Sequence, residues 1–171
     1  MKKTVLLITI GCLFFGCKKE ETTEFPFDSL VLSSSNLAEI NSIKFTKSDT
    51  VYFQRNYPDP QQNFYAIISN DKKIELNQYL QNLNINKYKP LYYDENLDDG
   101  QIYLIQVKAK DTNRLIFIHG SDSPKELYNY IDSLIALKED LNFITTKQVI
   151  DFGNLSSILP IPPPPPPLKE N

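Results

Sequence analysis

The sequence predicts an α+β fold, an antiparallel sheet of four or five strands with two helices on one face. Three observations carry that reading. Short runs of β-branched and aromatic residues recur between polar turns. Two stretches place apolar residues at helical spacing. The β-β-α order of these segments then repeats along the chain, Val51–Leu83 aligning on Ile102–Leu134 without a gap at a shift of 51 residues.

The strands come in pairs. Ser42 to Thr46 and Thr50 to Arg55 flank Lys47-Ser48-Asp49, a turn, and Asn63 to Ser69 follows the stiff loop Tyr57-Pro58-Asp59-Pro60. Gln101 to Ala109 alternates, with Ile102, Leu104 and Gln106 on one face and Tyr103, Ile105 and Val107 on the other. Arg114 to His119 follows the polar turn Lys110-Asp111-Thr112-Asn113. The first helix runs from Asp71 to about Leu83, with Leu76, Tyr79, Leu80 and Leu83 on one face. The second has the better start signal: Ser123 as N-cap, Pro124 at N1 and Glu126 at N3 form a capping box, followed by Leu127, Tyr130, Ile131, Leu134 and Ile135. Within the repeat, seven of 33 aligned positions are identical, among them Tyr52/Tyr103, Ile67/Ile118, Leu76/Leu127, Tyr79/Tyr130 and Leu83/Leu134. Ordinary residue frequencies give about two. Duplication and convergence of core spacing both account for this.

Composition narrows the classes of function. The 171 residues are 41% hydrophobic and 23% charged, which suits one globular domain and excludes collagen-like, disulfide-scaffold and largely disordered chains. A net charge of −3 argues against nucleic acid as a partner. Two Cys and one His leave too few ligands for a multi-ligand zinc site, and nothing calls for a cofactor. Asp94 to Gly100 has the acidic look of a calcium loop, but an EF-hand wants Gly at position 6 and Glu at 12, where Asp99 and Ile105 stand. It reads as a solvated connector, with no metal expected.

The N-terminus carries an address. Lys2 and Lys3 precede an apolar stretch of 12 residues, Thr4 to Phe15, then Gly16-Cys17 and the charges Lys18, Lys19, Glu20 and Glu21. As a helix the stretch covers about 18 Å, short of the roughly 30 Å of a hydrocarbon core, so it reads as a signal peptide over residues 1–16. Gly16-Cys17 resembles the lipobox of bacterial envelope lipoproteins, although Phe14 and Phe15 depart from its usual residues. The resemblance implies cleavage before Cys17, lipidation of its thiol and acylation (palmitate, for example) of its new amino group. The partner so implied is the membrane, reached through the lipid anchor. Cys17-Lys18-Lys19-Glu20-Glu21 is also similar to the surface-export signal of Bacteroidota-type lipoproteins, which implies the outer membrane and its exposed side. Loss of Lys2 and Lys3 would leave 16 basic and 21 acidic residues, a net charge of −5. With Cys17 lipidated, no disulfide would form within the mature chain.

Residues 17–36 then read as the lipidated Cys and a tether, 37–153 as the α+β domain, and 154–171 as a proline-rich tail holding the run Pro162 to Pro167. Polyproline II is a stiff rod of about 3.1 Å per residue, either a spacer or a ligand for an aromatic groove. The expected function is a non-catalytic binding or interaction module of the cell envelope, with an envelope protein as partner and Tyr52, Tyr65 and Tyr103 as binding residues on the sheet face away from the helices. The alternatives are a small envelope hydrolase built on His119, beside Gly120, Ser121 and Asp122, and an immunity or inhibitor protein for a secreted toxin. No Gly-x-Ser-x-Gly elbow and no phosphate-binding loop supports catalysis. Replacing His119 by Ala separates the first two: a phenotype that survives the change excludes the hydrolase.

Overall fold

The structure is a computed structural model describing residues 24–97, 100–110 and 112–159. The stretch read as a signal peptide, Cys17 and the proline run lie outside the described residues. The fold is α+β, with eight strands among the described residues in place of the four or five expected. They are β1 (Ser29–Ser35), β2 (Ile40–Thr46), β3 (Thr50–Tyr57), β4 (Gln62–Ile67), β5 (Leu91–Tyr93), β6 (Ile102–Ala109), β7 (Thr112–His119) and β8 (Ile144–Thr146). Their order across the sheet is β5-β7-β6-β1-β2-β3-β4-β8, antiparallel except for the β5–β7 pair.

The three additional strands escape sequence reading for physical reasons. β5 and β8 have three residues each, too few to show a period, and their shortness blunts the sheet edges. β1 falls in the segment read as a tether, yet it is a central strand, paired with β2 and β6 along its whole length. Its serines disguised it. Ser33 is fully buried, and its hydroxyl meets that of Ser42 on β2 at 2.8 Å, so the buried polar groups are satisfied. Two residues before the tether's apolar break at Leu30-Val31-Leu32, the chain is already anchored: the Asp28 N–H donates to Lys108 O. Phe25 and Phe27, in edge-to-face contact, are also buried in the core.

Two helices, α1 (Asn70–Gln81) and α2 (Lys125–Glu139), cover one face. They run across the strands in opposite directions. α1 starts where Lys73 pairs with Asp49 and ends where Gln81 Nε2 donates to Glu24 O. α2 starts where the Tyr128 hydroxyl donates to Gly120 O and ends with Lys138 over the Phe53 ring. Between helices and sheet lies the main core, including Leu30, Leu32, Phe45, Ile105, Ile116, Leu80, Leu127 and Ile131. The caps differ from expectation. Ser69 caps α1, accepting from the Lys72 N–H at 3.4 Å. At α2 the cap position is Pro124 without a side-chain bond; Ser123 Oγ is buried with no partner among the described residues, and Glu126 instead pairs with Lys87. Ser123 is packed inward, so the capping box does not form.

The repeat survives in the helices and slips in the strands. Leu76/Leu127, Leu80/Ile131 and Leu83/Leu134 are all buried at the shift of 51, and the Tyr79 and Tyr130 rings touch at 4.7 Å. In the strands the same shift pairs opposite faces: Ile67 is exposed while Ile118 is fully buried. Side chains alternate with period two, so matching the core residues Val51 and Ala66 to Tyr103 and Ile118 takes a shift of 52.

The other sheet face is covered by the chain's own C-terminal segment, residues 148–158, which we call the strap. Phe152, Leu155 and Ile158 pack on Val31, Ile40 and Leu104 in a second core cluster. Residues 154–159, read as the start of the tail, therefore belong to the packed structure. Among the described residues, no helix is long and apolar enough to cross a membrane.

Two outcomes test this architecture. A chain starting at Leu37 should fail to fold, having lost a central strand, whereas one starting at Glu24 should show a cooperative thermal transition by circular dichroism. Leu30→Ala, at a position with no exposure, should cost about 2–5 kcal/mol in denaturant unfolding.

Candidate interaction surfaces

The strap is held by side chains of the sheet. Asn63 on β4 donates from Nδ2 to Gln148 O at 2.9 Å, oriented by Gln54, whose Nε2 donates to Asn63 Oδ1 at 2.8 Å. Lys44 on β2 donates to Asp151 O at 2.6 Å, and Lys108 on β6 lies 3.7 Å from the Asp151 carboxylate. Gln106 on β6 holds the backbone twice: Nε2 donates to Phe152 O at 3.1 Å, and Oε1 accepts the Asn154 N–H at 2.9 Å. Between these bonds Gly153 sits at φ 79°, and a Cβ there would lie 2.6 Å from Gln106 Oε1. Only glycine suits that conformation and that approach.

This arrangement divides the three tyrosines. Tyr52 and Tyr65 are direct partners across β3 and β4, on the strap side of the sheet. Tyr103 lies on the opposite side, under α2, its ring edge-on to Tyr128 at 6.3 Å. Burial pushes the Tyr103 phenol above its ordinary pKa, with Asp132 and Tyr128 adding to the effect. The three therefore do not form one surface: β6 places its odd-numbered residues toward the helices, while β3 places its even-numbered ones toward the strap. What Tyr65 has beside it is Ile144 on β8, its register partner and 59% exposed; Ile67, two residues along the same face, is 63% exposed. Tyr52, Tyr65, Ile67 and Ile144 thus form an aromatic and aliphatic patch beyond the strap. Ile144 lies outside every segment read as an element, so only the pairing of β8 on β4 brings it there.

His119, the end residue of β7, is buried, with the Tyr93 ring against it at 5.0 Å and tilted by 32°. Its Nδ1 has no hydrogen-bond partner among the described residues. Asp94 reaches it through the backbone, its N–H donating to His119 O at 3.2 Å, while the Asp94 carboxylate accepts from the Asn96 amide groups. Asp98 and Asp99 of the calcium-like loop lie outside the described residues. Among those described, no three His, Cys, Asp or Glu side chains gather as metal ligands would.

Two concavities lie on the helix side. A groove of about 400 Å³ runs between the helices, lined by Leu76, Tyr79, Leu134 and Leu137 and bridged by Lys72–Asp140 at 2.8 Å and Ser133–Tyr79 at 3.2 Å. A notch of about 160 Å³ with Ser34, Asn41, Gln101 and Tyr103 lies near the C-terminal end of α2.

The Asp151 carboxyl is held below its ordinary 3.8, first by the Gly153 N–H that it accepts at 2.7 Å, then by Lys108 and Lys44. A lowered folded value means that the ionised form stabilises the fold above the ordinary pKa, and that this is lost as pH falls through the lowered one. Thermal stability should therefore fall as pH drops below about 4. Asp151→Asn should flatten its share of that fall, read as the difference between the two melting-temperature profiles.

Compared with protein-family models and with curated proteins, the chain matches none.

Proposed function

We propose that this chain is a lipid-anchored protein of the bacterial cell envelope whose domain is a non-catalytic interaction module. The anchor reading rests on Lys2-Lys3, the apolar Thr4–Phe15 and Gly16-Cys17. Each buried methylene of an acyl chain contributes about 0.8 kcal/mol, so two or more chains hold stably. The domain would sit close to the membrane. Glu24 already bonds to α1 and lies seven residues after Cys17, a reach of at most about 25 Å.

The observation that carries the interaction reading is the patch of exposed Ile67 and Ile144 with half-buried Tyr65 and Tyr52 beside them. Tyrosine and aliphatic residues grouped on a sheet face supply the apolar centre that protein interfaces use. An envelope protein is the partner proposed.

Crosslinking in living cells tests both parts. Cys17→Ala should abolish fatty-acid labelling and release the protein from the membrane fraction. Tyr65→Ser with Ile144→Asp should leave the circular dichroism spectrum unchanged and remove the reproducible crosslinked partner seen with the parent chain. Labelling that survives Cys17→Ala, or a partner that survives the double change, overturns the corresponding part.

A further inference from the structure

The strap is bound as a ligand is bound. Among the described residues it makes no backbone–backbone hydrogen bond to the sheet; its only such bonds are the local turn of Ile158 and Leu159 onto Leu155 O. Every polar tie to the sheet comes from a sheet side chain: Asn63, Lys44, Lys108 and Gln106. Three of these four bond the strap's main chain, which any peptide offers. Selectivity comes from what lies between: a carboxylate near two lysines, an aromatic residue, a glycine against Gln106, and aliphatic side chains three residues apart. The strap supplies these as Asp151, Phe152, Gly153, Leu155 and Ile158, and the three apolar side chains are all 3–9% exposed. Because the strap contributes no strand to the sheet, its departure would break no ladder, and the strap-side cluster of Val31, Ile40 and Leu104 would be uncovered as a ready apolar floor.

We propose that the sheet face opposite the helices is a peptide-binding surface. It is filled in this structure by the chain's own residues 148–158. It accepts from another molecule a segment of the same chemistry and shape: acidic, aromatic and positive-φ glycine residues in succession, followed by a turn that carries two aliphatic residues three apart. The strap is the intramolecular competitor, so binding in trans is exchange rather than addition. Apparent affinity is lowered by the fraction of molecules whose strap is closed.

The test uses the mature full chain with a protease site inserted between Lys147 and Gln148, nicked after folding, and a fluorescent peptide of residues 148–159 as the probe. The nicked protein should keep its circular dichroism spectrum and take up the peptide saturably while releasing its own segment. Gln106→Ala removes two hydrogen bonds to the peptide backbone and should weaken uptake about tenfold. A peptide carrying Gly153→Ala should not compete. Unfolding on nicking, no uptake, or uptake indifferent to both changes overturns the proposal. The experiment needs no membrane and no cellular partner, so its failure leaves the anchored-module reading to be judged by the crosslinking result alone.

Discussion

The central strand β1 must be covered on both faces, and the rest of the molecule follows from that. Leu30 and Leu32 point toward the helices, Val31 and Ser33 toward the strap, and all four are at most 4% exposed. A single antiparallel sheet with helices on one side would leave half of that burial undone, since antiparallel strands commonly wet one face. The chain resolves this with two unlike layers. Helices give the thick layer, where large side chains such as Phe45, Leu80 and Ile131 interdigitate. An irregular segment gives the thin one. Its backbone polar groups cannot join the ladder, so side chains from β2, β4 and β6 meet several of them.

That thin layer explains the polar composition of the strap-side face. Ser33, Ser42, Gln54 and Gln106 are buried there, positions where aliphatic residues would ordinarily stand. Ser33 and Ser42 satisfy each other across the β1–β2 pair, Gln54 orients Asn63, and Gln106 clasps the strap. Each is polar because it has a polar task. Truncating Gln106 would leave the buried Phe152 carbonyl without that bond, which costs more than the bond itself contributes. The pairing of Gln106 with Gly153 is the most exacting of these contacts, because it needs both a side chain of one length and a main chain with positive φ.

The helix layer keeps a trace of internal symmetry that the strands have lost. Tyr79 and Tyr130, equivalent in the two β-β-α units, meet ring to ring between α1 and α2. Tyr52 and Tyr103, equivalent by the same count, face opposite sides of the sheet. A helix tolerates the gapless shift because its buried positions recur every three or four residues. A strand does not, since one residue of slip inverts every side chain. Sequence identity in the strands was thus a poor guide to structural equivalence, and it misplaced one of the three tyrosines expected on a common surface.

Much of the helix-side architecture was readable from the residues alone. The alternation of β6, the periodicity of α1 and α2 and the turns of β2–β3 and β6–β7 are local signals, generated within a few residues and preserved by the fold. The apolar run before Gly16-Cys17 is equally local, so the proposal of an anchored destination rests on sequence and owes nothing to tertiary contacts. What the tertiary structure decided is everything carried by long-range pairing. Ser33 is satisfied in its buried place because Ser42 reaches it across the neighbouring strand. Ile144 joins Tyr65 only because β8 docks on β4. Residues 154–158 read as the start of a proline-rich tail, and only the sheet beneath them, through Gln106 and the apolar floor of Val31, Ile40 and Leu104, makes them part of the packed structure. Polar residues are read as exposed wherever their partners are distant in sequence, and here the partners lie across the sheet.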